Sequence, residues 1–286
     1  MGTRTRVTAR LRAELADLAW RILWPGSDRV PVGFAPGHWY STIPSRADID
    51  GWAPIPVADG DGIDLRVAEQ CAYLRALDVV LPTGPRFAEN GYFDTGDAAI
   101  YQAILRHRRP RRVVEVGAGW STAACLDAGT DAAVTVIDPD PSRVRAILRP
   151  GDLDRCTIVA ERLQDVGLDV FRALGPGDVL FVDSTHVGKL GSDVNRLLFE
   201  ILPRLGPDVA VHFHDVRYPF EYPAELYARG RAWNEAYLLR AFLTGNEQYE
   251  IMLWADLLHR QGLVEDAALA AALDRAHSAS IWIRRR

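Results

Sequence analysis

The sequence predicts an α/β chain built on a doubly wound, mostly parallel sheet. Three observations carry that expectation. Beyond residue 97, short β-branched and apolar runs alternate with segments of helical periodicity. One run, Val113-Val114-Glu115-Val116, opens directly into Gly117-Ala118-Gly119-Trp120-Ser121 and a helical pattern. The next run, Ala133 to Ile137, ends in Asp138, about 20 residues past the glycines, where a ribose-binding carboxylate belongs. Strands joined through helices in this way need right-handed crossovers and a parallel sheet.

Taken in order, residues from about Arg6 to Trp24 have an amphipathic helical pattern, with Leu11, Leu15, Leu18, Ile22 and Leu23 on one stripe. Glu14 and Asp17 dilute its basic face, which favours packing on the core or a second subunit over a membrane surface. From Pro25 to Pro85 the chain is proline-rich, yet Phe34, Trp39, Tyr40, Trp52 and Tyr73 are too many aromatic residues for a disordered linker. Within it Val67 to Leu77 has helical spacing, and His38 to Ser45 reads as loop. Residues 1–89 are thus an ordered extension, suited equally to covering an active site or to wrapping the core as a purely structural element, and residues 90–286 the main domain.

In the main domain a helix through Asp97 to Arg108 precedes the glycine turn. Strands are expected at Arg112 to Val116, Ala133 to Asp138, Thr157 to Ala160, Val179 to Asp183 and Val209 to His214, with a helix from Asp193 to Leu205. A long helical stretch, Ala224 to Leu243, leads to strands at Tyr249 to Trp254 and Ala279 to Arg284, separated by a helix at Glu265 to Ala276.

Composition narrows the function. With 286 residues and 48% hydrophobic content the chain can bury one substantial core. A net charge of −5 gives no electrostatic footprint for nucleic acid. The three cysteines, Cys71, Cys125 and Cys156, are widely spaced, which suggests buried thiols and neither a disulfide framework nor a zinc cluster. No apolar run approaches a membrane span, and the N-terminal stretch lacks the apolar core of a signal peptide, so a cytoplasmic protein is expected.

The glycine turn discriminates between ligands. Gly117 permits a tight turn, Gly119 lets a ligand approach the backbone, and the helix near Ser121 presents free N–H groups. The third glycine of dinucleotide sites is missing near Thr122. Glu115, an acid in an otherwise apolar strand, suits a cationic ligand without phosphates. On these residues the chain resembles the class I S-adenosylmethionine (SAM)-dependent methyltransferases, whose first motif reads acid-x-Gly-x-Gly. The resemblance implies a Rossmann-like, seven-stranded sheet with an antiparallel C-terminal strand. It also implies a cofactor site of Glu115, Gly117, Ala118, Gly119, Ser121 and Asp138, with Gln164 facing adenine and Asp183 beside the methionine end.

Ligands of open parallel sheets gather at the carboxyl ends of the strands. Two such ends read Asp183-Ser-Thr-His186 and His212-Phe-His214-Asp215. Together with Gly191-Ser-Asp-Val-Asn195 and Arg231-Ala-Trp-Asn-Glu235, they resemble a bacterial branch of these enzymes associated with hydroxyl methylation of small molecules, sugars and polysaccharides. Asp183, His186, His214 and Asp215 are then the catalytic candidates, and Asp183, His214 and Asp215 the candidates for Mg²⁺. Tyr40, Tyr218, Tyr222 and Glu235 are candidate acceptor contacts. His212, deeper in its strand, reads as a core residue, and Asp193 suits a helix N-terminus. The expected activity is methyl transfer to a hydroxyl of a small molecule or carbohydrate, assisted by a histidine base or Mg²⁺, with a homo-oligomer left open. Two alternatives come from other classes: a nicotinamide-dependent oxidoreductase, and a catalytically silent SAM-binding protein.

Overall fold

The computed structural model describes residues 15, 18, 22, 34, 36–58, 60–83, 86, 90–276 and 279–286. Most of the helix expected from Arg6 to Trp24 lies outside the described residues. Of its stripe, Leu15, Leu18 and Ile22 are described as helical and exposed.

The chain divides into two compact units, one of residues 1–53 with 223–232 and one of residues 54–222 with 233–286. The first contains α1 (Arg46–Gly51) and α8 (Ala224–Ala228), which pack together. Ser45 caps α1 reciprocally with Asp48.

The second unit contains α2 (Val67–Ala76), α3 (Thr95–Arg108), β1 (Arg112–Val116), α4 (Trp120–Leu126), β2 (Ala133–Ile137), α5 (Ser142–Ile147), β3 (Cys156–Val159), α6 (Asp169–Arg172), β4 (Val179–Val182), α7 (Asp193–Arg196), β5 (Ala210–His214), α9 (Glu235–Leu243), β6 (Tyr249–Trp254), α10 (Ala255–Arg260), α11 (Ala267–Ala276) and β7 (Ser280–Arg285). They form one seven-stranded sheet in the order β3-β2-β1-β4-β5-β7-β6. β1 to β5 pair in parallel, and β7 runs antiparallel to both of its neighbours. This is the Rossmann-like fold expected from the sequence, with strand ends within a residue or so.

Burial explains why these runs are strands. β4 and β5 are buried throughout, as parallel strands covered on both faces must be. Residues 54–83 fall within this unit, so the contact division differs from a boundary at residue 89. Gln70 of α2 ties that segment to the sheet, accepting a hydrogen bond from the Trp254 backbone N–H at 2.6 Å.

Two helical expectations need correction. Ala224 to Leu243 is two helices, because Gly230 takes a left-handed conformation and ends the first, while Asn234 starts the second. Asp193 to Leu205 begins as α7 but continues through a π-helical turn at Leu197–Ile201. Two helices were missed among the described residues: α1, in the segment read as irregular, and α10, which follows β6 without an intervening loop.

Asp178 joins the entry of β4 to that of β1. Fully buried, it accepts hydrogen bonds from the backbone N–H groups of Arg111 and Arg112 with Oδ1 and of Gly175 with Oδ2, each at 2.9 Å. Asp178→Ala would leave these donors without their acceptor. A loss of about 2–4 kcal/mol is expected in urea unfolding, and a loss under about 0.5 kcal/mol would show that water or another group replaces the carboxylate.

Candidate active site

β1 delivers the glycine turn and β4, its neighbour, delivers Asp183. Gly117 has φ +85°, and a Cβ there would lie 1.8 Å from the backbone oxygen of Asp183. The turn at the end of β1 therefore rests on the chain leaving β4, and only glycine fits. Gly119 differs: a Cβ would meet only the Arg143 side chain, at 3.4 Å, an ordinary contact. The Ala118 N–H donates to Asp138 Oδ2 at 3.0 Å, while Asp138 Oδ1 accepts from the Asp140 N–H at 2.8 Å. Asp138 thus already braces the turn.

Glu115 lies beneath the turn with no exposed surface. The Thr122 hydroxyl donates to its Oε2 at 2.6 Å and accepts from the Gly119 N–H at 3.2 Å. Burial pushes its carboxyl up to about 8, against the opposing hydroxyls of Ser121 and Thr122. Its direct structural effect is to hold the glycine loop. Ser121 is likewise buried, in the first turn of α4. Gln164, expected near adenine, donates through its amide to the Gly191 carbonyl at 2.9 Å.

The second cluster sits where β4 and β5 end. His186 is buried, with a left-handed backbone (φ +58°), and its ring points Nε2 between two acids: 3.4 Å from Asp183 Oδ1 and 3.6 Å from Asp215 Oδ2. On the opposite side, Nδ1 lies 2.9 Å from Glu235 Oε2. Burial alone would lower the histidine's pKa, but Asp183 and Glu235, with Asp215 behind them, hold it well above the ordinary value. Asp183 is desolvated too, yet the histidines around it, His214 foremost, bring it down to about 2.

The residues expected to hold a metal do not all converge. Asp183, His186 and Asp215 bring one ligand atom each within 4.8 Å of one another. His214 is not in that group; its buried ring lies 5.3 Å from Phe93 and 5.6 Å from His212. The two carboxylates suit Mg²⁺ and the imidazole adds an affinity for transition ions such as Mn²⁺. His214 retains an electrostatic part: burial would lower its pKa, and Asp183, Asp215 and Asp97 outweigh burial and raise it. His212 is the core residue expected, stacked 4.0 Å from Phe181 and held well below the ordinary histidine range by burial.

The remaining candidates divide. Tyr222 is buried and its hydroxyl accepts from the Ala236 N–H at 3.0 Å. Tyr218 is half-buried, edge-on to Trp254. Tyr40 is exposed on the first unit. Glu235 joins the histidine cluster, only 1% exposed. Asp193, read only as a helix-start residue, also accepts from the Thr185 hydroxyl at 2.6 Å and so shapes the loop bearing His186. Sequence reasoning missed Trp233, whose ring lies 4.3 Å from that of His186; its position next to Asn234-Glu235 was the available signal.

Residues 114–216, from β1 to just past the end of β5, match a family model described as a methyltransferase domain. The chain belongs to the same family as an uncharacterized protein of Archaeoglobus fulgidus, 30% identical over an alignment of 165 residues that covers 49% of this chain and 73% of that protein. Among solved structures it is similar to the O-methyltransferase TomG of Streptomyces achromogenes, involved in tomaymycin synthesis and crystallised with SAM, at 15% identity and a TM-score of 0.46 over 78% of this chain and 90% of that one. An O-methyltransferase of Bacillus cereus in complex with S-adenosylhomocysteine (SAH) is 13% identical, with a TM-score of 0.43 over 84% of this chain and 96% of that one.

The buried Glu115 makes stability depend on pH. Its folded pKa of about 8 lies above the ordinary 4.5, so the folded protein binds the extra proton between these values and loses stability as pH rises through that window. Each pH unit costs about 1.4 kcal/mol from this group. Glu115→Gln keeps the acceptor for Thr122 and should flatten the slope in urea unfolding at pH 5.5 to 7.5. A slope equal to wild type would remove Glu115 as its source.

Proposed function

We propose that this chain is a SAM-dependent methyltransferase that methylates a hydroxyl oxygen of a small molecule, with carbohydrates as the first acceptor class to test. One observation carries the reading: the glycine turn rests on the backbone of Asp183, so a ligand on the turn lies beside the acid and histidine cluster. In this reading Gly117, Ala118 and Gly119 form the backbone cradle, Asp138 meets the ribose hydroxyls, and Glu115 and Ser121 hold the turn from beneath. Gln164 stands towards adenine. The cofactor supplies an electrophilic methyl group. The protein aligns the acceptor oxygen and accommodates its proton.

His186 is the group of this chain best placed to take that proton. The three acids around it raise its pKa, which makes the neutral ring a stronger base than a free imidazole. A divalent cation would relieve the same excess of negative charge. Asp183, His186 Nε2 and Asp215 would hold it, and it would lower the pKa of the acceptor hydroxyl.

Calorimetry should show binding of SAM and SAH and none of NAD or NADP, and Gly119→Arg should abolish it, since the arginine would fill the space beside Arg143. Turnover of hydroxyl acceptors to SAH should fall at least about 100-fold in Asp183→Ala, His186→Ala and Asp215→Ala. Metal assistance predicts loss with chelator and recovery with Mg²⁺ or Mn²⁺. A free histidine base predicts chelator resistance and a rate rising well above pH 6.5. Unchanged SAM affinity in Gly119→Arg would refute the cofactor site, and bound SAM without turnover on any acceptor would favour a silent binding protein.

A further inference from the structure

Glu235 opens α9, and the start of that helix grips the loop after β4 at several points. The backbone N–H groups of Asn234 and Glu235 both donate to the His186 carbonyl, at 3.0 and 3.2 Å. The Asn234 side chain exchanges hydrogen bonds with Gly188, accepting from its N–H at 2.6 Å and donating to its carbonyl at 3.1 Å. The Trp233 ring lies 4.3 Å from that of His186, and Glu235 Oε2 sits 2.9 Å from His186 Nδ1. Glu235 Oε1 has no hydrogen-bond partner among the described residues and, like the rest of the side chain, is shut away from solvent. A residue so enclosed does not greet an acceptor.

We propose that Glu235 is a positioning residue: by accepting the Nδ1–H of His186 it fixes the ring's tautomer and aims Nε2 into the gap between Asp183 and Asp215. An imidazole has two nitrogens, and the hydrogen bond at one decides which form the other presents. With Nδ1–H committed to a carboxylate 49 residues away in sequence, the Nε2 lone pair of the neutral ring faces the two acids. The inference deepens the methyltransferase reading, because an aimed Nε2 serves a proton acceptor and a metal ligand alike. It also reassigns Glu235, expected from the sequence to touch the acceptor.

The test uses the full chain, labelled with ¹⁵N, and long-range ¹H–¹⁵N correlations of its seven histidines at alkaline pH, where the ring is neutral. His186→Gln identifies the signal by its disappearance. Wild type and Glu235→Gln, whose amide oxygen can still accept from Nδ1–H, should show His186 as the Nδ1–H tautomer. Glu235→Ala should show a mixture or the Nε2–H form. In SAH-release assays Glu235→Ala should lower kcat by about 10–100-fold, with affinity for SAM and KM for the acceptor little changed and Glu235→Gln partly restored. A wild-type tautomer in Glu235→Ala overturns the proposal, as does a raised acceptor KM with unchanged kcat. If Glu235→Ala does not fold, Glu235→Leu is read in its place, and Nε2–H dominance in wild type alone overturns the proposal. The spectra require neither SAM nor an acceptor, so failure of the methyltransferase reading would leave the tautomer result standing.

Discussion

A side chain at position 117 would drive its first carbon into the carbonyl of Asp183, and the geometry of the site follows from that contact. β1 and β4 are neighbours in register, Val116 beside Val182, so both chains leave the sheet side by side. One must turn without a Cβ for the other to pass. The Asp183 N–H donates to the Val116 carbonyl at 2.9 Å, and the Gly117 N–H to the Ile137 carbonyl at 2.9 Å. Three strand exits are thereby tied into one rim, which makes the glycine turn and the acid and histidine cluster parts of a single site.

The charge pattern on this rim shows how position decides protonation. His212 and His214 lie two residues apart on one face of β5 and are both buried, yet they are shifted in opposite directions. His212 sits deeper among Phe181, Trp282 and Tyr101, where desolvation prevails. His214 stands at the strand's end, where Asp183, Asp215 and Asp97 outweigh the same penalty. Moving two residues along one strand carries a histidine from core to rim.

The fold was legible because the parallel strands are short, mostly apolar runs, and four of the five are followed by a residue that breaks the pattern: Gly117, Asp138, Asp183 and Asp215. The glycine turn was legible for the same reason. Less visible were the relations that depend on residues far apart in sequence. The choice between His186 and His214 in the three-residue cluster depends on a left-handed backbone at His186 and on Glu235, 49 residues away. Periodicity also ran two helices into one across residues 224–243, since apolar spacing persists where Gly230 reverses the chain. Gln164 was placed by analogy of position, and its hydrogen bond to Gly191 could not be foreseen from local pattern.

The left-handed backbone at His186 and Asp215, φ +58° in both, costs roughly 1–2 kcal/mol at each residue and needs support from neighbouring structure. For His186 that support is the N-terminus of α9. For Asp215 it comes from the C-terminal elements. The Val216 N–H donates to the Ala279 carbonyl at 3.1 Å, the Val216 carbonyl accepts from the Trp254 indole at 2.9 Å, and the Tyr218 N–H donates to Asp256 at 2.8 Å. The antiparallel closing strand and the helix after β6 therefore do more than complete the sheet: they hold the exit of β5 in the conformation that presents Asp215 to His186. Loosening that corner should therefore disturb the site through the backbone of residues 215–218, the stretch that begins with the left-handed Asp215.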